Sequence, residues 1–110
     1  MSFDLAIWEG ERPADDPAAG RAFDDLVQRY DEEEAEAPPT ERIIAYVEAL
    51  SRRWPDEETG PWSVTPEPAG PFLYLCVAWS MADEVAAYAA GLARSMDLIC
   101  YDPQSERLLT

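Results

Sequence analysis

The chain of 110 residues contains no histidine and no lysine, and its 8 basic residues are all arginines. The absence of histidine removes the usual general base near neutral pH and the commonest metal ligand. The absence of lysine removes Schiff-base chemistry and the lysine with which P-loop proteins bind phosphate. Catalytic sites of the serine–histidine and cysteine–histidine types are therefore excluded, and we expect a protein that is not an enzyme.

Cysteine is scarce as well, since Cys76 and Cys100 are the only 2 in the chain. They do not form a Cys-x-x-Cys motif, and two cysteines without histidine are too few for a zinc site. Both lie within apolar runs, which is typical of small buried side chains in a reducing compartment. We therefore predict neither a metal nor a cofactor.

Long apolar segments are also absent. No run approaches the ~20 residues of a membrane span, and Met1–Gly10 lacks the basic start and the apolar core of a signal peptide. The composition is nevertheless 47% hydrophobic and 11% aromatic, which excludes disorder over the whole length. We therefore expect one cytoplasmic domain that covers residues 1–110.

Charge is the strongest bias in the composition, because 23 acidic residues against 8 arginines give a net charge of −15. Such a chain is poorly suited to nucleic acid or to an anionic membrane surface, which both bind clustered cations. The charge is also uneven, with 17 acidic residues and 6 arginines in residues 1–60 against 6 and 2 in residues 61–110. The acidic part of the chain thus coincides with its first half.

Local patterns in the first half predict one strand and two helices. Ser2–Trp8 alternates as a strand does. Asp16 is a suitable N-cap for a helix with Pro17 at its first position, and Thr40 is a suitable N-cap for a second helix that Pro55 ends. The apolar residues at helical spacing are Phe23, Leu26, Val27 and Tyr30 in the first helix and Ile43, Val47, Leu50 and Trp54 in the second.

The second half predicts a strand-rich pattern around a third helix. The proline-rich stretch 56–70 permits at most a short edge strand at Trp62–Thr65. Phe72–Trp79 is apolar throughout and is typical of a central strand buried on both faces. Ser80 and Asp83 match a capping box that opens the third helix, and Leu98–Tyr101 is the last predicted strand.

The order of these elements predicts an α+β fold. It matches a ferredoxin-like βα(α)ββαβ two-layer sandwich with an extra helix in the first crossover. Right-handed crossovers place the first strand between the third and the last. Cys76 and Cys100 are then ~9.6 Å apart, at two strand spacings, so we expect no disulfide between them.

Two acidic stretches and two tryptophans form the candidate binding surface. The stretches flank the second predicted helix, and the tryptophans flank the second stretch. Aromatic side chains beside charge are typical of protein interfaces, although solvated loops that only keep the protein in solution are an open alternative. Trp8 and Trp79 lie in predicted strands and are expected in the core. The candidate partner-binding residues are Glu32, Glu33, Glu34, Glu36, Trp54, Asp56, Glu57, Glu58 and Trp62.

Three segments of the chain resemble a known group of proteins. These are the opening Ser2–Gly10, the strand around Trp79–Ser80 that follows Trp62, and the closing Asp97–Gln104. They are similar to small actinobacterial and proteobacterial proteins that begin "YDLAVW" and end "GLVCYDPQ" and that are associated with the immunity proteins of bacterial toxin systems. Where the group often has His-Gly before the last strand, this chain has Met96-Asp97. The resemblance implies a small rigid fold that inhibits a toxin by binding it.

Three hypotheses about function follow. The first is an immunity or antitoxin-type inhibitor that neutralises a cognate toxin, presumed basic, through the acidic surface. The second is a structural or regulatory module that self-associates, for example as a homodimer, through its sheet or helices. The third is an enzyme or small-ligand binder that uses Tyr74, Arg94 and carboxylates around a pocket on the sheet.

Overall fold

A computed structural model describes residues 2–32, 37–55 and 60–110. Within them the sheet and helices alternate in an order close to the one that the sequence predicts. Strand β1 is followed by two helices, a β-hairpin, a third helix and two short strands. The elements are β1 (Ser2–Trp8), α1 (Asp16–Val27) with a π-helical extension (Gln28–Glu32), α2 (Glu41–Arg53), β2 (Trp62–Ala69), β3 (Phe72–Ala78), a 3-10 turn (Trp79–Met81), α3 (Ala82–Ser95), β4 (Ile99–Asp102) and β5 (Arg107–Leu108).

The described strands form one antiparallel sheet in the order β2-β3-β1-β4-β5. β1 is central, and it pairs with β3 from Ser2 opposite Ala78 to Trp8 opposite Phe72. Its last residues also pair with β4, where Trp8 lies opposite Ile99. The prediction of an α+β fold is therefore confirmed, and β1 lies between β3 and β4.

The main hydrophobic core lies between the sheet and helices α2 and α3. Leu5 and Ile7 of β1 project into it, together with Leu73 and Leu75 of β3. Tyr46 of α2 is fully buried there, and its hydroxyl donates a hydrogen bond of 2.8 Å to the carbonyl of Ala89 on α3. This bond joins the two helices through a polar group that burial would otherwise leave unsatisfied.

The prediction of two layers is wrong, because α1 covers the opposite face of the sheet. Phe23 of α1 lies with its ring centroid 5.3 Å from that of Tyr101 and 6.1 Å from that of Tyr74. Trp8 and Phe72 belong to the same second core. Alternation along a strand puts these aromatic residues on the face that α2 and α3 do not touch. Because this face is also apolar, a further helix, α1, is needed to bury it.

Strand β2 is longer than the predicted Trp62–Thr65, since it continues to Ala69 and includes Pro66 and Pro68. It is the edge strand of the sheet, and its pairing with β3 is irregular at two places. An edge strand tolerates proline because one side of its backbone has no ladder to donate to. The prolines therefore indicate that this strand lies at the edge of the sheet, but they do not limit its length.

The helix caps were predicted with mixed success. Thr40 caps α2 as expected, accepting from the backbone N–H of Ile43. The cap of α1 is Asp15 and not Asp16, which instead accepts a 2.9 Å hydrogen bond from the N–H of Leu108 on β5. The prediction of a capping box at Ser80 is wrong. β3 ends at Ala78, one residue before the predicted end, and a 3-10 turn that contains Ser80 precedes α3.

The turn that follows β4 is hydrogen-bonded to β1 through Gln104. The side-chain amide of Gln104 donates to the carbonyl of Asp4 at 2.8 Å and also accepts from the Asp4 N–H. Asp102 in turn accepts from the backbone N–H of Gln104 at 3.0 Å. The amide thus continues the hydrogen-bond ladder of β1 where β4 has ended, which gives the Asp-Pro-Gln motif a structural role.

Candidate functional site

Trp54 and Trp62 are brought into direct contact at one end of the molecule. Trp54 follows the last residue of α2, and its backbone N–H donates to the carbonyl of Leu50 at 2.8 Å. The two indole rings meet edge to face with centroids 6.3 Å apart. The Nε1–H of Trp62 donates to the carbonyl of Trp54 at 3.1 Å, so the pair is held by a hydrogen bond as well as by packing.

Two further side chains complete this cluster. Tyr88 of α3 lies edge to face against Trp54 with centroids 5.1 Å apart, and it is 38% exposed. The guanidinium of Arg53 lies 4.4 Å from the centroid of a Trp54 ring, and it also forms a 3.9 Å ion pair with Glu84. We refer to Arg53, Trp54, Trp62 and Tyr88 as the tryptophan cluster. Trp54 itself is only 7% exposed, so the accessible part of the cluster is its rim.

Trp79 was expected in the core, and this prediction is wrong. β3 ends at Ala78, and Trp79 lies in the following 3-10 turn with 56% of its surface exposed. It contacts Phe3, with ring centroids 5.9 Å apart. Because Val77 pairs with Trp62, this exposed indole lies at the same end of the sheet as the tryptophan cluster. The apolar run of the sequence continues through Trp79, so the pattern gives no sign that the strand ends before it.

The acidic candidates fall mostly outside the described residues. Glu33, Glu34, Glu36, Asp56, Glu57 and Glu58 all do, and for Glu32 only the backbone is described, at the end of the π-helical extension. The described residues that flank the two stretches lie at opposite ends of the sheet. Pro55 and Gly60 adjoin the tryptophan cluster in sequence, whereas Ala37 bonds to Gly70 at the other end of the sheet. Helix α2 runs between these two described flanks, and its 13 residues have a length of ~20 Å.

The residues of the third hypothesis do not meet. Tyr74 lies on the face that α1 covers, and its hydroxyl donates to Oδ2 of Asp4 at 2.8 Å. Arg94 lies in the last turn of α3, on the opposite side of the sheet. A pocket built from these two side chains is therefore not formed.

The two cysteines differ in their surroundings. Cys100 is a free, buried thiol between the sheet and the helices, so no disulfide joins it to Cys76 on β3. Burial, with a smaller contribution from the charge of Asp102, raises the pKa of Cys100 to about 12. A thiol with so high a pKa supplies almost no thiolate at neutral pH and is a poor nucleophile.

Metal-ligand clusters and membrane-spanning helices are both absent from the part of the chain that the structure describes. Residues 2–32, 37–55 and 60–110 contain no group of three or more carboxylate and thiol side chains placed to hold a metal ion. None of the helices within these ranges is long and apolar enough to cross a bilayer.

Comparison with protein-family models, with curated proteins and with solved structures gives no significant match. The resemblance to bacterial immunity proteins, which depends on three short segments, therefore stays a hypothesis.

Proposed function

We propose that this chain is a non-enzymatic bacterial binding protein of the immunity or antitoxin type, which acts in the cytoplasm by covering a basic toxin. The observation that carries the proposal is the tryptophan cluster together with the exposed Trp79 at one end of the sheet. Trp79 is the most exposed large apolar side chain among the described residues, at 56%. In the sequence, Asp56–Glu58 follow Pro55, which is next to Trp54.

Aromatic anchors next to negative charge have complementary effects on binding. Trp, Tyr and Arg supply most of the binding energy in protein interfaces, and all three types are present in the tryptophan cluster and at Trp79. The net charge of −15 attracts a cationic partner at long range and accelerates encounter. A protein that works in this way needs a rigid fold and no chemistry.

The geometry narrows the surface that the sequence suggested. Glu32, Glu33, Glu34 and Glu36 follow α1, whereas Asp56, Glu57 and Glu58 follow α2, and the described residues next to the two stretches are ~20 Å apart. That distance exceeds the screening length of ~8 Å at physiological ionic strength. We therefore propose that the second stretch, which adjoins the tryptophan cluster in sequence, makes the direct contacts, and that the first contributes only through the net negative charge of the protein.

The ferredoxin-like arrangement belongs to the same proposal. The order β2-β3-β1-β4 with all neighbours antiparallel supports it, and β5 is an addition at the edge. This arrangement disfavours self-association through the sheet, because α1 covers the face through which two copies would pair. At the β2 edge, Pro66 and Pro68 interrupt the donors that a second copy would need.

The test is binding to the product of the neighbouring gene, which the proposal expects to be a basic toxin, measured by calorimetry at low and high salt. We expect Trp79→Ser to weaken binding at least tenfold, and the control Ile44→Ser, which also removes an exposed apolar side chain, to have little effect. The double reversal Glu57→Lys/Glu58→Lys should weaken binding more than Asp24→Lys/Asp25→Lys on α1, an equal change of charge.

Two results would contradict the proposal. One is binding that is indifferent to Trp79→Ser and to both charge reversals. The other is sedimentation that shows a dimer forming with increasing concentration and losing stability with Trp79→Ser, which would favour self-association through this surface.

A further inference from the structure

Three of the 8 arginines meet at the end of the molecule opposite the tryptophan cluster. Arg12 lies in the loop after β1, Arg42 in the first turn of α2, and Arg94 in the last turn of α3. Together they line a cleft of about 350 Å³. Three elements that are far apart in sequence therefore direct cations to one place in a chain where acidic residues outnumber basic ones by 23 to 8.

The floor of this arginine cleft is buried and fixed in position. Leu98, Ile99 and Thr110 line it, and each is almost completely buried. The hydroxyl of Thr110 donates to the carbonyl of Leu98 at 3.2 Å and accepts from the N–H of Cys100 at 3.1 Å. An apolar floor with a few polar groups at the rim is the usual form of a small-ligand site.

The three arginines at the rim differ in their ion pairs. Glu9 pairs with Arg42 at 3.6 Å, and Asp97 is the carboxylate within the cleft lining. Arg12 and Arg94 are exposed, and neither forms an ion pair with a residue that the structure describes. The cleft therefore offers the guanidinium donors of Arg12 and Arg94 to a ligand in an otherwise strongly acidic protein.

We propose that the arginine cleft binds a phosphate group, either as the free ion or as a small phosphate monoester. A guanidinium presents parallel N–H donors that match two oxygens of a phosphate, and it stays charged at any physiological pH. The cleft volume of about 350 Å³ is at the small end of ligand sites, which suits a phosphate with a few further atoms and not a dinucleotide. The apolar floor accommodates the ester carbon.

The experiment titrates the full chain with inorganic phosphate, with glucose 6-phosphate and with glucose, by calorimetry and by amide chemical shifts. We expect both phosphates to bind and glucose not to bind. Tighter binding of the ester identifies a phosphate monoester as the ligand class, whereas equal binding identifies the free ion. The shifts should be largest at Leu98, Ile99 and Gly10, which line the cleft.

Matched variants separate this site from the general charge of the protein. Arg12→Gln and Arg94→Gln should each weaken phosphate binding about tenfold, which is the scale of one charge-assisted hydrogen bond. Arg52→Gln removes the same charge from an exposed position outside the cleft and should change it less than about twofold. Asp97→Asn should strengthen binding. Thermal unfolding of each variant checks that it is folded.

The proposal is wrong if neither phosphate binds at concentrations up to ~10 mM, above the millimolar affinity expected of a small open site. It is also wrong if Arg52→Gln weakens binding as much as Arg94→Gln does. Because the cleft and the tryptophan cluster lie at opposite ends of α2, these outcomes leave the proposed toxin surface unaffected.

Discussion

The thiol of Cys100 should make this protein lose stability in alkaline solution. Its side chain lies on the β4 face that packs against α2 and α3, and burial raises its pKa from 9.0 to about 12. In the unfolded chain the thiol is in water and ionises near its ordinary pKa. Between these two values the folded protein keeps the proton that the unfolded chain releases, so ionisation favours unfolding.

The magnitude follows from the two pKa values. The stabilisation is complete below pH 9, where neither form is ionised, and it is lost as the pH rises toward 12. The difference between 9.0 and about 12 corresponds to ~4 kcal/mol in total, at ~1.4 kcal/mol per tenfold change in proton affinity. About 1.4 kcal/mol of this should already be lost at pH 10. Such a loss is a large share of the 5–15 kcal/mol that is typical of a small domain.

Urea unfolding at pH 8 and pH 10, with a reducing agent present, measures this effect. Between the two conditions the wild type should lose ~1.4 kcal/mol more than Cys100→Ala loses, whatever the stability of the variant at pH 8. Val77→Ala, which truncates a side chain of the same core that does not ionise, is the matched control and should lose as much between the two conditions as the wild type does. The pKa values of the buried Tyr46 and of Tyr101 are also raised, mainly by burial, and because their ordinary value is 10.0 their ionisation in the unfolded chain adds a smaller loss at pH 10 that the wild type and both variants share.

An equal loss of stability in the wild type and in Cys100→Ala would refute the reasoning. It would mean that the thiol ionises at the same pH in both states, and therefore that water reaches Cys100 in the folded protein.

Two further predictions concern single groups that the fold depends on. Tyr46→Phe removes the hydrogen bond between α2 and α3 and should lower the free energy of unfolding by ~1–2 kcal/mol in urea, whereas Tyr88→Phe at the surface should change it by less than ~0.5. Gly70→Ala should destabilise by ~1–2 kcal/mol, because Gly70 has φ of +52° and an added Cβ would lie 3.0 Å from the ring of Tyr30. Gly91→Ala, in open space on α3, should instead raise the melting temperature; a decrease as large as that of Gly70→Ala would contradict the argument.

Several features of the fold could be predicted from local patterns. The strand Ser2–Trp8 has the bounds that its alternation indicates, and Thr40 caps α2 as its position in the sequence predicts. The inward residues of α1, with Phe23 among them, are those that helical spacing selects. These predictions succeed because a strand or a helix imposes a period on the chain that neighbouring residues reveal.

Predictions failed where the outcome depended on a partner far along the chain. Trp79 is apolar and follows a strand, yet its side chain is exposed because the strand ends at Ala78 and Trp79 begins a 3-10 turn. Asp16 is a suitable cap, yet Asp15 takes that role while Asp16 bonds to Leu108, 92 residues away. The short strand β5, which supplies this bond, has too few residues to produce a pattern.

By itself the sequence determined the acidity of the protein, the main strands and helices, and the residues that line their apolar sides. These properties depend on side-chain chemistry and on the repeat of the backbone, which are local. Only the tertiary structure decided that α1 covers the second face of the sheet, that Trp54 meets Trp62, and that Arg12, Arg42 and Arg94 share a cleft. β1 is apolar on both faces, so its pattern does not say which helix covers which face; the strand order and the direction of the crossovers decide this and bring distant residues together.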